Sequence, residues 1–106
     1  MENAKEEFIR EVKGKGKIVC ARVGLDVDNY GESINWSILK DNYSKEAYEK
    51  FVNSLDFEYD SGYGSQELFG IILFENSFSN RHEYDGSEYW CNQKMPTINN
   101  VIMVKE

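Results

Sequence analysis

Apolar and polar residues alternate along the chain with two different periods, and the switches between periods mark the elements. Ala4, Phe8, Ile9 and Val12 share one face at helical spacing and Gly14 stands at a helix stop, which predicts a helix over 2–13. From 17 to 27 the period falls to two. Val19, Ala21, Val23, Leu25 and Val27 then share one side of a strand, and Ile18, Cys20, Arg22 and Asp26 the other. A turn composition at 28–32, with Asn29 and Gly31, leads into a second strand over 33–40. There Ile34, Trp36 and Ile38 alternate with Ser33, Asn35 and Ser37, and the two strands read as a hairpin. Helical spacing returns over 44–55, with Ser44 as N-cap and Glu46 in the first turn. Ala47, Tyr48, Phe51, Val52 and Leu55 form a wide apolar stripe that a sheet or another helix has to cover.

After the loop 56–65, residues 67–75 are almost continuously apolar, the pattern of a central strand covered on both faces. Over 78–84, Phe78, Asn80, His82 and Tyr84 alternate with Ser79, Arg81 and Glu83. Asp85-Gly86 is a two-residue hairpin turn, and 87–92 completes a three-stranded meander. The tail from 96 holds Val101, Ile102, Met103 and Val104, with a short strand against a neighbour as one option. The order predicts an α+β fold: an antiparallel sheet of about five strands, hairpin then meander, with an N-terminal helix and one helix packed on the sheet. It excludes a doubly wound dinucleotide-binding unit. The 106 residues hold one proline and no Pro/Gly/Ser-rich linker, so 1–106 reads as a single domain.

Composition narrows the classes. At 41% hydrophobic and 29% charged, the chain is neither membrane-like nor disordered in type. No apolar run approaches the ~20 residues of a membrane helix, and Met1–Lys17 lacks the apolar core of a secretion signal. A cytoplasmic, non-membrane protein is expected. A net charge of −7 disfavours non-specific nucleic-acid binding. It leaves open a basic protein surface, mimicry of nucleic acid, or a small anion held in a local basic pocket. Cys20 and Cys91 lie outside any CxxC spacing and read as reduced thiols. With one histidine in the chain, no metal site and no cofactor are expected.

Several clusters could carry chemistry. Asp56, Glu58, Asp60 and Glu67 match part of a calcium-loop count, but Ser61 stands where the loop requires glycine and a strand follows instead of a helix. Gly62-Tyr63-Gly64 resembles a piece of a phosphate loop without its Lys-Ser/Thr, and Tyr59 and Tyr63 beside it could stack on a base. Lys13, Lys15 and Lys17, interleaved with Gly14 and Gly16, read either as a solvated helix end or as an anion-facing loop. Arg22 and Arg81 lie within strands, where each faces an anion or a carboxylate; Glu83, two residues on from Arg81, is one such carboxylate. His82 and Glu83 point to opposite faces and form no dyad, and no nucleophile has a base at motif spacing, so an enzyme is not expected.

Three stretches resemble a family of small bacteriophage proteins. They are Ser54-Leu55-Asp56-Phe57-Glu58-Tyr59-Asp60-Ser61-Gly62-Tyr63-Gly64, then Gln66-Glu67-Leu68-Phe69-Gly70, and then Arg81 with Glu83-Tyr84-Asp85-Gly86-Ser87-Glu88 and Trp90, about a third of the chain. Among such proteins the chain looks most like the Thoeris anti-defence signal sponges. It departs from their pattern at Asn76-Ser77-Phe78-Ser79, where an Asp-Gly-Thr-Trp turn is expected, and at Tyr89 and Cys91. The resemblance implies a homo-oligomeric binding protein of the host-cell cytoplasm that sequesters a cyclic nucleotide signal, a cyclic ADP-ribose isomer or a cyclic oligonucleotide, without cleaving it. Such a pocket needs stacking aromatics, for which Tyr63, Phe78 and Trp90 are candidates. It needs cations for phosphate, Arg22 and Arg81, and acceptors for ribose hydroxyls, Asp85 and Glu88. On that expectation Arg81→Ala weakens binding and leaves the fold intact. The charge keeps a second expectation alive, an acidic protein inhibitor of a host defence nuclease.

Overall fold

Asn3 opens the first helix: its side-chain oxygen accepts the Glu6 backbone N–H at 3.0 Å, and α1 runs Ala4–Val12. In the computed structural model, residues 1–26, 33–60 and 66–95 are described. A two-residue strand, β1 (Glu2–Asn3), precedes α1 and pairs antiparallel with β4 (Glu58–Tyr59). Ala4 N–H donates to Phe57 O at 3.0 Å beside that pair, which ties the start of the chain to the segment after the second helix. Two residues carry no readable period, so the sequence pattern does not announce these strands.

The main sheet comprises β2 (Ile18–Asp26), β3 (Ile34–Leu39), β5 (Leu68–Phe74), β6 (Ser77–Tyr84) and β7 (Ser87–Lys94) in the order β3-β2-β5-β6-β7. Every neighbouring pair is antiparallel, so the expected hairpin and meander are joined through β2 and β5. The β6–β7 turn has positive φ at both central residues, Asp85 (53°) and Gly86 (85°), the conformation that matches hairpin twist. One detail departs from strict alternation. Ile18 pairs with Phe74 but Cys20 pairs with Leu73, so Val19 is an extra residue in β2. This irregularity moves Ile18 onto the side of Ala21 and Val23, where all three are buried.

Both helices cover that one side. Helix α2 (Lys45–Ser54), capped by the Ser44 side chain on Ala47 N–H, packs against β3 and buries Phe51 and Val52, with Leu55 just beyond its end. Helix α1 buries Ala4 and Phe8, and Phe8 meets Phe51 edge-to-face at 5.4 Å. Beneath them lie Ala21, Val23, Leu39, Leu68, Ile72 and Phe74.

The opposite side of the sheet carries Cys20, Arg22, Trp36, Ile38, Phe69, Ile71, Leu73, Phe78, His82 and Tyr89, as strand register and alternation require. Among the described residues no element lies on it, and Ile38 is 62% and Ile71 39% exposed. Strand β5 is therefore central, as its apolar run predicts, but covered on one face instead of two. Among the described residues no helix is long and apolar enough to cross a membrane.

Candidate functional site

The sequence candidates divide between the two faces. Arg81, Glu88 and Trp90 lie on the helix side. The Arg81 side chain is 1% exposed and the Glu88 side chain 2%, and Arg81 Nη2 donates to Glu88 Oε1 at 3.2 Å. Arg81 Nη2 also donates to the Tyr59 hydroxyl at 2.7 Å, and Nη1 lies 3.7 Å from Glu7 of α1. The guanidinium stands 5.6 Å from the Tyr59 ring centre and 5.4 Å from that of Trp90. Glu88 uses its remaining capacity on backbone, accepting from Glu67 N–H at 2.7 Å and Leu68 N–H at 3.0 Å.

These bonds have a structural purpose. Strands β5 and β6 pair only from Ile71–Asn80 to Leu73–Phe78, so Leu68 receives no ladder bond from β6. The carboxylate of Glu88 takes its N–H, and Arg81 Nε donates to its carbonyl at 3.4 Å. A buried ion pair thus replaces backbone pairing where the sheet splays. The sequence expectation of Arg81 and Glu88 as ligand groups is revised accordingly: both are enclosed and turned toward each other. The partner of Arg81 is Glu88, diagonal to it across the hairpin, and not Glu83, which accepts the Gly86 N–H at 2.7 Å. Trp90 lies inward as well. A Cβ built on Gly70 would stand 2.9 Å from its ring, so the glycine makes room for the indole.

Glu7 completes this network from α1 by accepting the Tyr59 hydroxyl proton. Burial pushes the Glu7 carboxyl above its ordinary value of 4.5, against the opposing pull of the Tyr59 hydrogen bond and Arg81. Burial raises Tyr59 too, with the Glu7 hydrogen bond adding to it. A raised carboxyl stabilises the fold fully below its unfolded value and loses that contribution as pH rises through the folded value. Glu7→Gln keeps an acceptor for Tyr59 and removes the ionisation. Its stability relative to the natural chain is expected to improve between pH 4.5 and pH 7 in paired urea titrations. A relative loss over that interval would contradict the reading.

The other face holds the exposed chemistry. Arg22 projects from β2, with its guanidinium carbon 4.5 Å from the centre of the Trp36 ring on β3. Gly24, directly opposite Trp36, makes that placement possible: a Cβ there would stand 2.7 Å from Trp36 Cε3 and 2.5 Å from Ile34 Cγ2. The indole therefore lies down over the strand. Gly24→Ala is expected to lift Trp36 and raise acrylamide quenching of its fluorescence, with a stability loss of about 1 kcal/mol; unchanged quenching would count against this packing. Beside Arg22 a depression of about 380 Å³ is lined by Cys20, Ile38, Lys40, Asp41, Ile71 and Leu73. Phe78 lies on this same face, opposite Leu73. His82 stacks on Tyr89 with ring centres 6.0 Å apart and hydrogen-bonds Asn80 at 3.2 Å.

Of the sequence candidates, then, Arg22 and Phe78 share the uncovered face, Asp85 sits exposed in the β6–β7 turn, and Arg81, Glu88 and Trp90 are inside. Tyr63 and the Gly62–Gly64 motif lie outside the described residues. Lys40 carries no signal of a ligand group in the sequence; the alternation of 33–40 puts Trp36, which reads as a core, ligand-platform or interface aromatic, on one face with Ile34 and Ile38, and only the pairing with β2 puts it beside Arg22. The Lys15 ammonium folds back onto Glu11, donating to its carbonyl at 2.6 Å, which is the helix-end role of the lysine-glycine stretch. The partial calcium loop is spent on structure: Asp56 accepts from Asn3, Glu58 lies in β4, and Leu68 opens a strand. Cys20 and Cys91 are free thiols. Among the described residues no group of three or more His, Cys, Asp and Glu is placed to hold a metal ion. No protein-family model matches the chain, and no curated protein or solved structure matches it.

Proposed function

We propose that the chain is a binding protein that sequesters a small anionic nucleotide on the uncovered face of its sheet and releases it unchanged. The resemblance to signal sponges directs the choice of ligand to a cyclic nucleotide immune signal, a cyclic ADP-ribose isomer or a cyclic oligonucleotide, in the cytoplasm of a phage-infected host. The observation that carries the reading is Arg22 over Trp36 beside the 380 Å³ depression. A nucleobase needs an apolar surface, which Ile38 and Ile71 supply beside the guanidinium that Trp36 supports. A phosphate needs a cation, and Arg22 and Lys40 stand at the same place. Sequestration requires a submicromolar Kd, more than about 8 kcal/mol of binding free energy. Stacking combined with charge-assisted hydrogen bonds reaches that range for a partly desolvated ligand.

Isothermal titration calorimetry with cyclic ADP-ribose isomers and cyclic oligonucleotides tests this. Submicromolar binding to one of them is expected, and heating the complex should return that compound with its mass intact. A changed mass means turnover, and silence across the panel removes the nucleotide reading. The −7 charge favours one other reading, an acidic inhibitor of a host defence nuclease. That reading predicts a salt-sensitive complex with a protein partner and indifference to every nucleotide.

A further inference from the structure

We infer that the uncovered face of the sheet is an interface between two copies of this chain, packed sheet against sheet. The first reason is a disagreement between sequence and single chain. Residues 67–75 carry the near-continuous apolar run of a strand buried on both faces, yet one chain covers only the helix side. On the other side Trp36 and Ile38 of β3, Phe69, Ile71 and Leu73 of β5 and Phe78 of β6 form an apolar tract, with Cys20, Arg22 and Gly24 of β2 running between β3 and β5. A contiguous patch of this kind marks an interaction surface.

The second reason is size. Five strands about 4.8 Å apart and about seven residues long project an area of roughly 24 by 23 Å. With side-chain relief this approaches the accessible surface that one partner gives to a standard interface, about 800 Å².

The third reason is charge, and it selects the occupant. Two chains of net charge −7 repel each other through most of their surfaces. Among the described residues this face carries Arg22 near its middle, with Lys40 and Asp41 at the depression and Asp26 at the end of β2, so cations stand among its few carboxylates and two copies meet here with less repulsion than through the acidic remainder of the surface. Twofold symmetry also suits the strand order. Strand β5 is third of five, and an axis along it lays each β2 over the other copy's β6. Arg22 and Asn80 both register with Ile71, so that axis sets Arg22 of one copy opposite the polar Asn80 of the other and away from a second cation. The depression beside Arg22 is concave, and the second copy roofs it, so pairing is compatible with a bound ligand.

Sedimentation of the full chain without nucleotide tests the inference, and its failure is separate from failure of the calorimetry. Interfaces of this size span micromolar to picomolar affinity, so at about 100 µM the expected mass is twice the 12.4 kDa of one chain. Ile38→Lys with Ile71→Lys is expected to give a single-chain mass, while Ile9→Lys on the exposed side of α1 leaves the pair intact. A single-chain mass for the natural protein overturns the inference, as does a pair that survives both lysines. A second measurement needs no variant. Cys20 and Cys91 both lie on this face, so their reaction with a maleimide should slow as protein concentration rises through the range where sedimentation shows the pair forming, and a rate that stays constant across that range overturns the inference as well.

Discussion

Glu88→Gln is expected to destabilise the domain by about 3–5 kcal/mol, a large part of the 5–15 kcal/mol that holds a domain of this class together. The side chain is 2% exposed and meets three donors: two backbone N–H groups and the Arg81 guanidinium. A carboxylate is the one side chain of this shape that accepts from all three. Glutamine turns an NH2 group toward one of them, so a buried donor loses its acceptor and Arg81 loses the nearest balance to its charge. The same logic applies to Arg81→Ala, which strands Glu88 as a buried anion; the expectation of a tolerated Arg81→Ala therefore gives way to one of a damaged fold. Urea titration followed by far-ultraviolet circular dichroism measures both. A midpoint within about 1 kcal/mol of the natural chain for either variant would falsify the role of this pair as a substitute for strand pairing.

The comparison between Arg81 and Arg22 shows how far the sequence could be read. Alternation placed both arginines in strands and on definite faces, because a period of two needs only local residues. It could not say which face the helices would take for each strand. That depends on β2 joining β5, a pairing between segments more than forty residues apart. Once β2 and β5 pair, Arg22 falls on the side away from the helices and Arg81 beneath α1. The extra residue at Val19 shows the same limit on a smaller scale: strict alternation sends Ile18 to the wrong side, and only the partner strand reveals the shift. The elements with strong local signals came through, namely Ser44 capping α2, the Asp85-Gly86 turn and the apolar centre of β5. The exchange of Glu88 for a missing ladder bond had no local signal, since it depends on where two strands diverge.

Arg22→Ala is expected to weaken binding of the tightest compound in the cyclic nucleotide panel by more than tenfold, about 1.4 kcal/mol or more, with the melting temperature unchanged. At a concentration low enough to keep the chains single, stability should be indifferent because Arg22 is exposed there and, among the described residues, rests on the Trp36 ring. Binding should respond because a planar guanidinium lying on an indole keeps its N–H edge free for phosphate oxygens while its face is held. Lysine supplies the charge without the plane, so Arg22→Lys should recover only part of the affinity. Trp36→Leu removes the support under the arginine, so the double variant with Arg22→Ala should lose less than the sum of the two separate effects in a double-mutant cycle. Raising salt should weaken the natural chain more than Arg22→Ala, since the screened interaction is the one the variant has already lost. Equal affinities for the natural chain and Arg22→Ala would remove this pair from the binding site, and an equal salt response would show that phosphate is held by some other cation.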